Sequence, residues 1–508
     1  MDAGRRHHAA RGPSFRFRLA CLALGVGVAA TVALLPTPEG LSPAGQRAIA
    51  VTLLATVLWS TEALPLAATA LACVALLPVV GAAPTLAEAL VGFAQPVPYF
   101  LYSVLALGLA AGTSGLAERV ARWFLALARS RPDVLYWQLI CSFVALAFVL
   151  PSASTRTGVQ LPIYHEALLA LDAGPGSRLG KAVMQALAQL NRLGSNALLT
   201  GGVTPVTAAA LIGGLGWAEW FVLMALPVYA MLVFGATAVY LTYRPFERPP
   251  LPGGRPVPDD GSRPGRGSGP IDTSGPAVST GPRPGASRAP GADVRTCAIL
   301  LAVSALWLTD AWHGLDPAVP ALFGVVLLVT PGIGVVSWSE VERGVGVGLV
   351  FVIAASLSLA HTVVATGGAV WLGGWLVAGL RPFAGAPLVL VTLLMLVSLV
   401  ARALLSSITA FLTVLIPLTA ALAQAIGLNP LPCCLLVTLV GDSVVYYAAQ
   451  SSSSLMPFEY DYLTAGDVLR FGLLMSVVAV AVGLVALPYW AWLGQPLLAG
   501  PAQPTTGN

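Results

Sequence analysis

Four polar interruptions of otherwise apolar sequence decide the fold: FVLPSASTRTGVQLPI (residues 148–163), LGSNALLTGGVTP (193–205), ARALLSSITAFLTVLIPL (401–418) and YYAAQSSSSLMP (446–457). Two of them lie in each half of the chain, in the same order. A broken helix exposes backbone polar groups, which a bilayer tolerates only where they line a cavity or bind a ligand. Paired interruptions at corresponding positions of two halves therefore predict a repeated fold with a central binding site.

The composition indicates a bilayer as the solvent. The chain has 508 residues, of which 57% are hydrophobic and 9% are charged, whereas soluble proteins are about one quarter charged. We therefore predict an integral, all-α polytopic membrane protein in contact with membrane lipid, with spans of roughly 20 residues. The net charge of +4 is small and forms no aromatic-interleaved basic patch, which argues against nucleic-acid binding. The six cysteines are scattered without metal-ligand spacing.

A stretch rich in Pro, Gly, Ser and Arg separates the two apolar halves. It has almost no aliphatic content, so it is predicted to be a disordered linker. The predicted organisation is a cytoplasmic tail, a first transmembrane repeat, a cytoplasmic linker, a second transmembrane repeat and a C-terminal tail, at residues 1–18, 19–243, 244–295, 296–494 and 495–508.

The arginines predict the topology. Those that precede the first span indicate a cytoplasmic N-terminus. Arg119, Arg122, Arg129 and Arg131 follow one apolar segment, whereas the corresponding segment of the second half carries only Arg381. By the positive-inside rule these segments face opposite sides, so we predict inverted repeats and an external C-terminus.

Several stretches resemble a known family. LSPAGQRAIAVTLLATVLWSTEALPLAATAL (residues 41–71), EALVGFAQP (88–96) and LWLTDAWHGLDPAVPAL (306–322) are similar to segments of the divalent anion:sodium symporter family, also called solute carrier family 13, of the ion transporter superfamily. The resemblance runs over residues 41–471, apart from the linker.

The family marker is a Ser-Asn-Thr triplet at the tip of each of two re-entrant hairpins. Here the tips read Ser152-Ala153-Ser154 and Ser407-Ile408-Thr409, so both asparagines are replaced. The first tip, PSASTRTG, resembles most the branch that exchanges di- and tricarboxylates, which carries an arginine four residues after the tip serine, where Arg156 stands.

The resemblance implies about 11 spans in two inverted repeats, each with a re-entrant hairpin and a broken transmembrane helix. It also implies a homodimer whose protomers have a scaffold domain and a transport domain that moves like an elevator.

The polar interruptions supply the candidate site residues. Hydroxyls and free backbone N–H groups there can hold an anion or a sodium ion. The alternative is that the hydroxyls bond back to their own helices in a packed interior. The residues predicted to bind substrate are Ser152, Ser154, Thr155, Arg156, Thr157, Asn196, Thr204, Ser407, Thr409, Ser452 and Ser453. The residues predicted to bind a cation are Ser152, Ser154, Thr200, Gly202, Ser407, Thr409, Asp442 and Gln450. Ser406, Thr207 and Ser451 belong to the same clusters.

Arg156 is the most specific candidate for a substrate-binding residue. An arginine near the bilayer midplane costs on the order of 2.5 kcal/mol or more, so it needs a partner. A carboxylate substrate would be a bidentate one. The alternative is a structural arginine that pairs with a backbone carbonyl or with an acid such as Asp442. Asp442 itself is interpreted either as a cation or proton site or as the ion-pair partner of an arginine.

The roles of other charged or titratable residues have two interpretations each. Arg192 and Arg402 lie near the interruptions, but each could reach a membrane interface by snorkelling. His165 and Glu166 fit a helix end at a water interface, and His361 fits a satisfied interior histidine; proton coupling is the other interpretation of both.

The functional prediction is a secondary transporter of a small anion, a di- or tricarboxylate or a similar organic anion, in the plasma membrane. It would work as an exchanger or as a weakly sodium-dependent symporter, with no cofactor other than sodium as a possible coupling ion. A sodium- or proton-coupled transporter of an oxyanion such as sulfate is one alternative. A membrane-embedded enzyme or a non-transporting receptor is another, but the dispersed histidines show no catalytic or metal-binding set.

Overall fold

The computed structural model describes most of the chain apart from its ends and the predicted linker. The described residues are 15–61, 63–127, 132–148, 150, 152–213, 215–244, 291–380, 385–405 and 407–498. Most of both predicted tails, nearly all of the predicted linker, and Ser406 lie outside the described residues, so the predictions made for them stay predictions.

The regular secondary structure of the first half consists of helices where the chain is described. They are α1 (Phe15–Leu34), α2 (Pro43–Thr61), α3 (Leu66–Val79), α4 (Leu86–Ala89), α5 (Pro96–Thr113), α6 (Leu116–Leu127), α7 (Pro132–Ala147), α8 (Ala153–Ala170), α9 (Arg178–Gln189), α10 (Leu193–Asn196), α11 (Val203–Ile212) and α12 (Trp217–Tyr243), with short 3₁₀ turns at Val91–Ala94 and Leu199–Gly201.

The second half repeats this order from α2 onward. Its helices are α13 (Ala292–Leu308), α14 (Asp310–His313), α15 (Ala318–Val329), α16 (Trp338–Gly344), α17 (Val347–Ala365), α18 (Gly368–Leu380), α19 (Pro387–Leu404), α20 (Ile408–Ala425), α21 (Pro430–Ser443), α22 (Ser452–Phe458) and α23 (Ala465–Trp492), with a 3₁₀ turn at Ala448–Gln450. Helix α13 begins at Ala292 and helix α1 begins at Phe15; the repeat boundaries predicted at residues 296 and 19 stay predictions.

Helical hairpins and broken helices occupy the places where the polar interruptions predicted them. Helices α7 and α8 form the first hairpin, and α19 and α20 form the second. Pro162 in α8 and Pro417 in α20 stand at equivalent positions after the tip serines. The first broken helix runs from α9 through α10 to α11, and the second runs from α21 to α22.

The order of helices makes the repeats inverted. A hairpin returns to the side from which it enters, so it adds no crossing. In each repeat the two opening helices, the long helix α5 or α17, the broken helix and the closing helix make five crossings, an odd number. The second repeat therefore starts on the opposite side from the first, and α1 brings the described total to eleven, as predicted.

The helices have the apolar character of membrane spans. Within the described ranges, seven are long and apolar enough to cross a membrane by length and composition: Arg16–Leu34, Pro96–Thr113, Trp217–Tyr243, Val347–Ala365, Pro387–Leu404, Ile408–Ala425 and Ala465–Trp492. Five shorter apolar helices accompany them. They are α3, α7, α15, helix α11 after the first break and helix α21 before the second break. The protein is thus an all-α integral membrane protein.

The first hairpin lies directly against the first broken helix. A Cβ atom on Gly194 of α10 would lie 2.7 Å from the Cβ of Phe143 in α7 and 2.8 Å from its backbone carbon. Both helices can approach this closely only because residue 194 has no side chain. Phe143 is fully buried at this contact.

We expect the Gly194→Ala substitution to lower stability, because its methyl group would force α7 and α10 apart. Overpacking of this kind costs about 1–3 kcal/mol. Thermal unfolding of the purified protein in detergent measures the effect. Gly174→Ala is the matched control, since a Cβ there meets nothing within 4 Å. An unchanged melting temperature for Gly194→Ala would contradict this packing.

Candidate functional site

A cavity of about 390 Å³ lies at the point where both hairpin tips and both helix breaks meet. The hairpins contribute Ser152, Ala153, Ser154, Arg402, Ser407 and Ile408, and helices α3 and α5 contribute the apolar wall Leu66, Leu101, Val104 and Leu105. The broken helices contribute Arg192, Asn196, Gly201, Gly202, Val203, Thr204, Asp442, Gln450, Ser451 and Ser453. The four interruptions that are distant in sequence therefore form one site.

Helix N-termini face this central cavity. Ser152 caps α8 by accepting a hydrogen bond from the Thr155 backbone N–H at 3.3 Å, and Ser407 caps α20 in the same way from Ala410 at 3.3 Å. Helix α11 begins directly after Gly202, which also lines the cavity. Unpaired N–H groups and the helix dipole give such ends a partial positive charge, which suits an anion.

The two breaks are held by specific local contacts. A Cβ atom on Gly201 would overlap the carbonyl oxygen of Ser195, so only glycine fits where the first break folds back on α10. In the second break, the Gln450 side chain accepts a hydrogen bond from the Tyr446 N–H at 2.7 Å and donates one to the Arg402 carbonyl at 2.8 Å. Gln450 thereby joins the second break to the second hairpin.

Arg156 is fully buried behind the first hairpin tip. Its Nη1 donates to the Leu150 carbonyl at 2.6 Å, and its Nε donates to the Asn191 Oδ1 at 3.1 Å. Its Nη2 donates to the Asn191 carbonyl at 3.1 Å and to the Ser195 Oγ at 2.7 Å. The guanidinium thus braces the hairpin tip against the first broken helix.

Arg402 makes the equivalent connection in the second repeat. Its Nη1 donates to the Leu405 carbonyl at the tip at 2.5 Å, and its Nε donates to the Gly441 carbonyl of α21 at 2.9 Å. The side chain is fully buried, and the residue also lines the central cavity. Each hairpin tip is therefore tied to the broken helix of its own repeat by a buried arginine.

Asp442 and Arg192 join the two repeats across the cavity. The Arg192 Nη1 donates to the Asp442 Oδ1 at 3.2 Å, and both side chains are almost fully buried. The same oxygen accepts from the Thr204 hydroxyl at 3.0 Å, while Oδ2 accepts from the Asn196 amide. Asp442 forms the predicted ion pair with an arginine, and its role as a cation or proton site stays a prediction. Arg192 and Arg402 lie in the interior instead of snorkelling to an interface.

Comparison with known proteins identifies the family. Residues 17–250 and 291–495 match the family described as "Sodium:sulfate symporter transmembrane region". The chain belongs to this family. The two matched parts correspond to the two repeats, and residues 251–290 between them are not matched.

Several curated proteins are similar to the chain over much of its length. It is 24% identical to a "Membrane protein" of Cupriavidus necator over 483 residues, which is 91% of this chain and 90% of that one. It is 24% identical to the L-tartrate/succinate antiporter of Escherichia coli over 428 residues, 80% of this chain and 81% of the antiporter. It is 28% identical to chloroplastic dicarboxylate transporter 1 of Arabidopsis thaliana over 318 residues, 60% of this chain and about half, 52%, of that protein. The crystal structure of the YdaH transporter of Alcanivorax borkumensis aligns with 95% of this chain and 99% of its own at a TM-score of 0.46 and 13% identity.

The central cavity gathers many, but not all, of the predicted site residues of this family member. Those that line it are Ser152, Ser154, Asn196, Gly202, Thr204, Ser407, Asp442, Gln450 and Ser453. Arg156, Thr157, Thr200 and Thr409 are buried but are not among its lining residues. The Thr157 hydroxyl accepts from the Asn191 amide, and the Thr200 hydroxyl accepts from the Trp217 indole. The side chain of Ser452 lies outside the described part of the chain.

Sequence reasoning missed two residues that position the site. Asn191 and Ser195 hold Arg156, and Asn191 also donates to the Ala153 carbonyl at the tip. Asn191 lies in the turn between α9 and α10, and Ser195 lies in α10; polar residues next to an apolar run, just before the first break, were the available signal. The contacts of Arg156 favour its bracing role; its predicted contact with the anion stays a prediction.

A second cavity of about 710 Å³ meets the first at the tip of the first hairpin. This vestibule lies between one face of α8 and the helices α5, α6 and α17. Ser152 and Leu105 line both cavities, and Thr155 faces the vestibule. Glu118 and Arg122 of α6 and Glu166 of α8 also line the vestibule. The two cavities therefore adjoin at the first hairpin tip, and the vestibule lies against α6, whose arginines predict a cytoplasmic side.

We expect Arg156→Gln and Asn191→Ala to lower stability by non-additive amounts, because both remove the same connection between hairpin tip and broken helix. Each loss should be on the order of 2 kcal/mol, typical of buried hydrogen bonds to a charged group. A double-mutant cycle of thermal unfolding without ligand measures the coupling. Arg343→Gln on the exposed α16 is the control. Wild-type stability of Arg156→Gln, with loss of ligand-induced stabilisation alone, would instead favour the predicted contact with the anion.

Proposed function

We propose that this chain is a secondary transporter that exchanges small organic dianions, with dicarboxylates as the first class to test. The observation that carries the proposal is the buried charge. In the described part of the chain, the buried charged side chains are Arg156, Arg192, Arg402 and Asp442, all at the tips and breaks. Three positive groups against one negative group leave a formal charge of +2 beside the central cavity.

Such a charge needs compensation, because an unpaired charge in a membrane interior is expensive. The helix N-termini at the cavity add partial positive charge to that of the guanidinium groups. A bound dianion would balance the formal charge without any accompanying cation. A volume of about 390 Å³ is within the range of small-molecule sites, roughly 300–1,000 Å³.

The hairpin tips support weak or absent sodium coupling. Where the family marker has asparagine, this chain has Ala153 and Ile408, and both line the cavity. Each tip thereby lacks an amide oxygen that could coordinate a hard cation. Hydroxyls and backbone carbonyls remain at the tips and could still coordinate sodium. The proposal therefore includes both pure exchange and weakly sodium-dependent symport.

The names of relatives agree with this class of substrate, since one is an L-tartrate/succinate antiporter and another a dicarboxylate transporter. The elevator movement, the homodimer and a plasma-membrane location with a cytoplasmic N-terminus remain part of the proposal. Sulfate is the second candidate, because it is also a dianion and the family description names it. Enzyme or receptor activity would appear as ligand binding without transport.

The purified protein reconstituted into liposomes tests this directly. With succinate inside and labelled succinate outside, we expect uptake that persists when sodium is replaced by choline. Liposomes without internal substrate should take up little label, because an empty cavity with a formal charge of +2 crosses the membrane poorly. Unlabelled sulfate and malate added outside compare the two candidate substrates by competition.

Strict sodium dependence, or equal uptake into empty liposomes, would contradict exchange. If unlabelled sulfate reduced the uptake and unlabelled malate did not, the proposed substrate would be an inorganic oxyanion instead of a dicarboxylate. Protein-free liposomes and liposomes with heat-denatured protein are the controls for leakage.

A further inference from the structure

Arg192 differs from the other two buried arginines in the way its donors are used. For Arg156 and Arg402 the Nε atom is occupied by protein, through the Asn191 Oδ1 at 3.1 Å and the Gly441 carbonyl at 2.9 Å. For Arg192 the Nη1 is held by Asp442, but Nε and Nη2 are buried and have no hydrogen-bond partner among the described residues. Arg192 also lines the central cavity, and its side chain is only 8% exposed.

The two orphaned donors lie on the same edge of the guanidinium group. Nε–H and Nη2–H point in parallel from this edge, and their spacing matches the two oxygens of a carboxylate. Buried donors that stay unpaired are costly, so a cavity-lining residue with two of them leaves the site incomplete without an acceptor. Asp442 leaves this edge open because it engages the guanidinium at Nη1.

We infer that Arg192 binds one carboxylate of the transported anion side-on, through Nε and Nη2. The inference rests on the proposed function and names the residue and the chemical group that carry recognition. It places the anion's first carboxylate at the first helix break. The apolar wall of α3 and α5 borders the same cavity and is suited to the carbon chain between the carboxylates.

Asp442 acts as the positioning residue for Arg192. Its carboxylate is fixed by three groups of the first repeat: Arg192 itself, the Thr204 hydroxyl and the Asn196 amide. A carboxylate held in this way prevents the guanidinium from turning its free edge away from the cavity. A guanidinium with one edge fixed and the other open loses little rotational freedom when it binds, which favours affinity.

The Arg192→Lys substitution separates fork recognition from charge. Lysine keeps the positive charge and can still pair with Asp442, but it offers no parallel pair of donors. We expect the Kd for succinate, measured by isothermal titration in detergent, to rise about tenfold or more. The melting temperature without ligand should change little. Arg343→Lys, on the exposed face of α16, is the matched control and should bind as the wild type does.

Asp442→Asn tests the positioning role. It keeps the shape of the side chain but removes the charge that holds Arg192, and loss of such a charge is destabilising. Binding is therefore measured on variant protein whose folding has first been verified by size-exclusion chromatography. Succinate binding should weaken, and Asp442→Glu should restore part of it. If Asp442→Asn bound succinate with the same affinity as the wild type, Asp442 would not be the positioning residue for Arg192.

A structure of the wild-type protein with 2-bromosuccinate gives a test that needs no variant. The bromine locates the ligand, and we expect one carboxylate within hydrogen-bond distance of Arg192 Nε and Nη2. A carboxylate found elsewhere, or wild-type affinity of Arg192→Lys, would overturn the assignment while the proposed transport stands. Binding of sulfate without binding of any dicarboxylate would overturn both.

Discussion

A guanidinium group in the interior of a membrane protein must have its donors occupied, and this constraint organises the centre of the fold. Arg156 donates hydrogen bonds to the Leu150 carbonyl, to Asn191 and to Ser195. Arg402 reaches the Leu405 carbonyl and the Gly441 carbonyl. Each arginine thus joins a hairpin tip to the break that follows it, so tip and break are positioned as one unit in each repeat.

Asp442 supplies a buried ionic contact between these two units. It belongs to the second broken helix, but its partners Arg192, Asn196 and Thr204 belong to the first. Without it, three buried positive charges would lie near one cavity with no negative group. A carboxylate that is removed from such a network leaves an uncompensated buried charge, which is strongly destabilising. Asp442 therefore lowers the positive charge beside the cavity and helps to hold the repeats around it.

The positions of hairpins and breaks could be predicted from sequence, because Pro, Gly, Ser and Thr interrupt apolar runs for reasons local to the backbone. The partners of charged side chains could not. Arg156 lies one helical turn beyond the tip serine, and sequence spacing does not tell which neighbouring helix it faces. Arg192 lies close to a break, but closeness to a helix end in sequence does not reveal depth in the membrane. Both questions depend on tertiary packing, which places Arg156 against Asn191 and leaves two donors of the cavity-lining Arg192 without a partner among the described residues.

The bracing arginines also show why the symmetry of the two repeats cannot be recognised by comparing the residues at single equivalent positions. The position equivalent to Arg156 in the second hairpin is Phe411, and the position equivalent to Arg402 in the first is Ala147; both are buried and apolar. The arginine stands after the tip in one hairpin and before it in the other. What the fold requires at each tip is a donor for the last carbonyl before the turn, since a buried unpaired carbonyl is costly. Either leg of a hairpin can supply that donor, because both legs adjoin the broken helix. The repeats have therefore kept the contact while the residue that makes it has changed its place in the sequence.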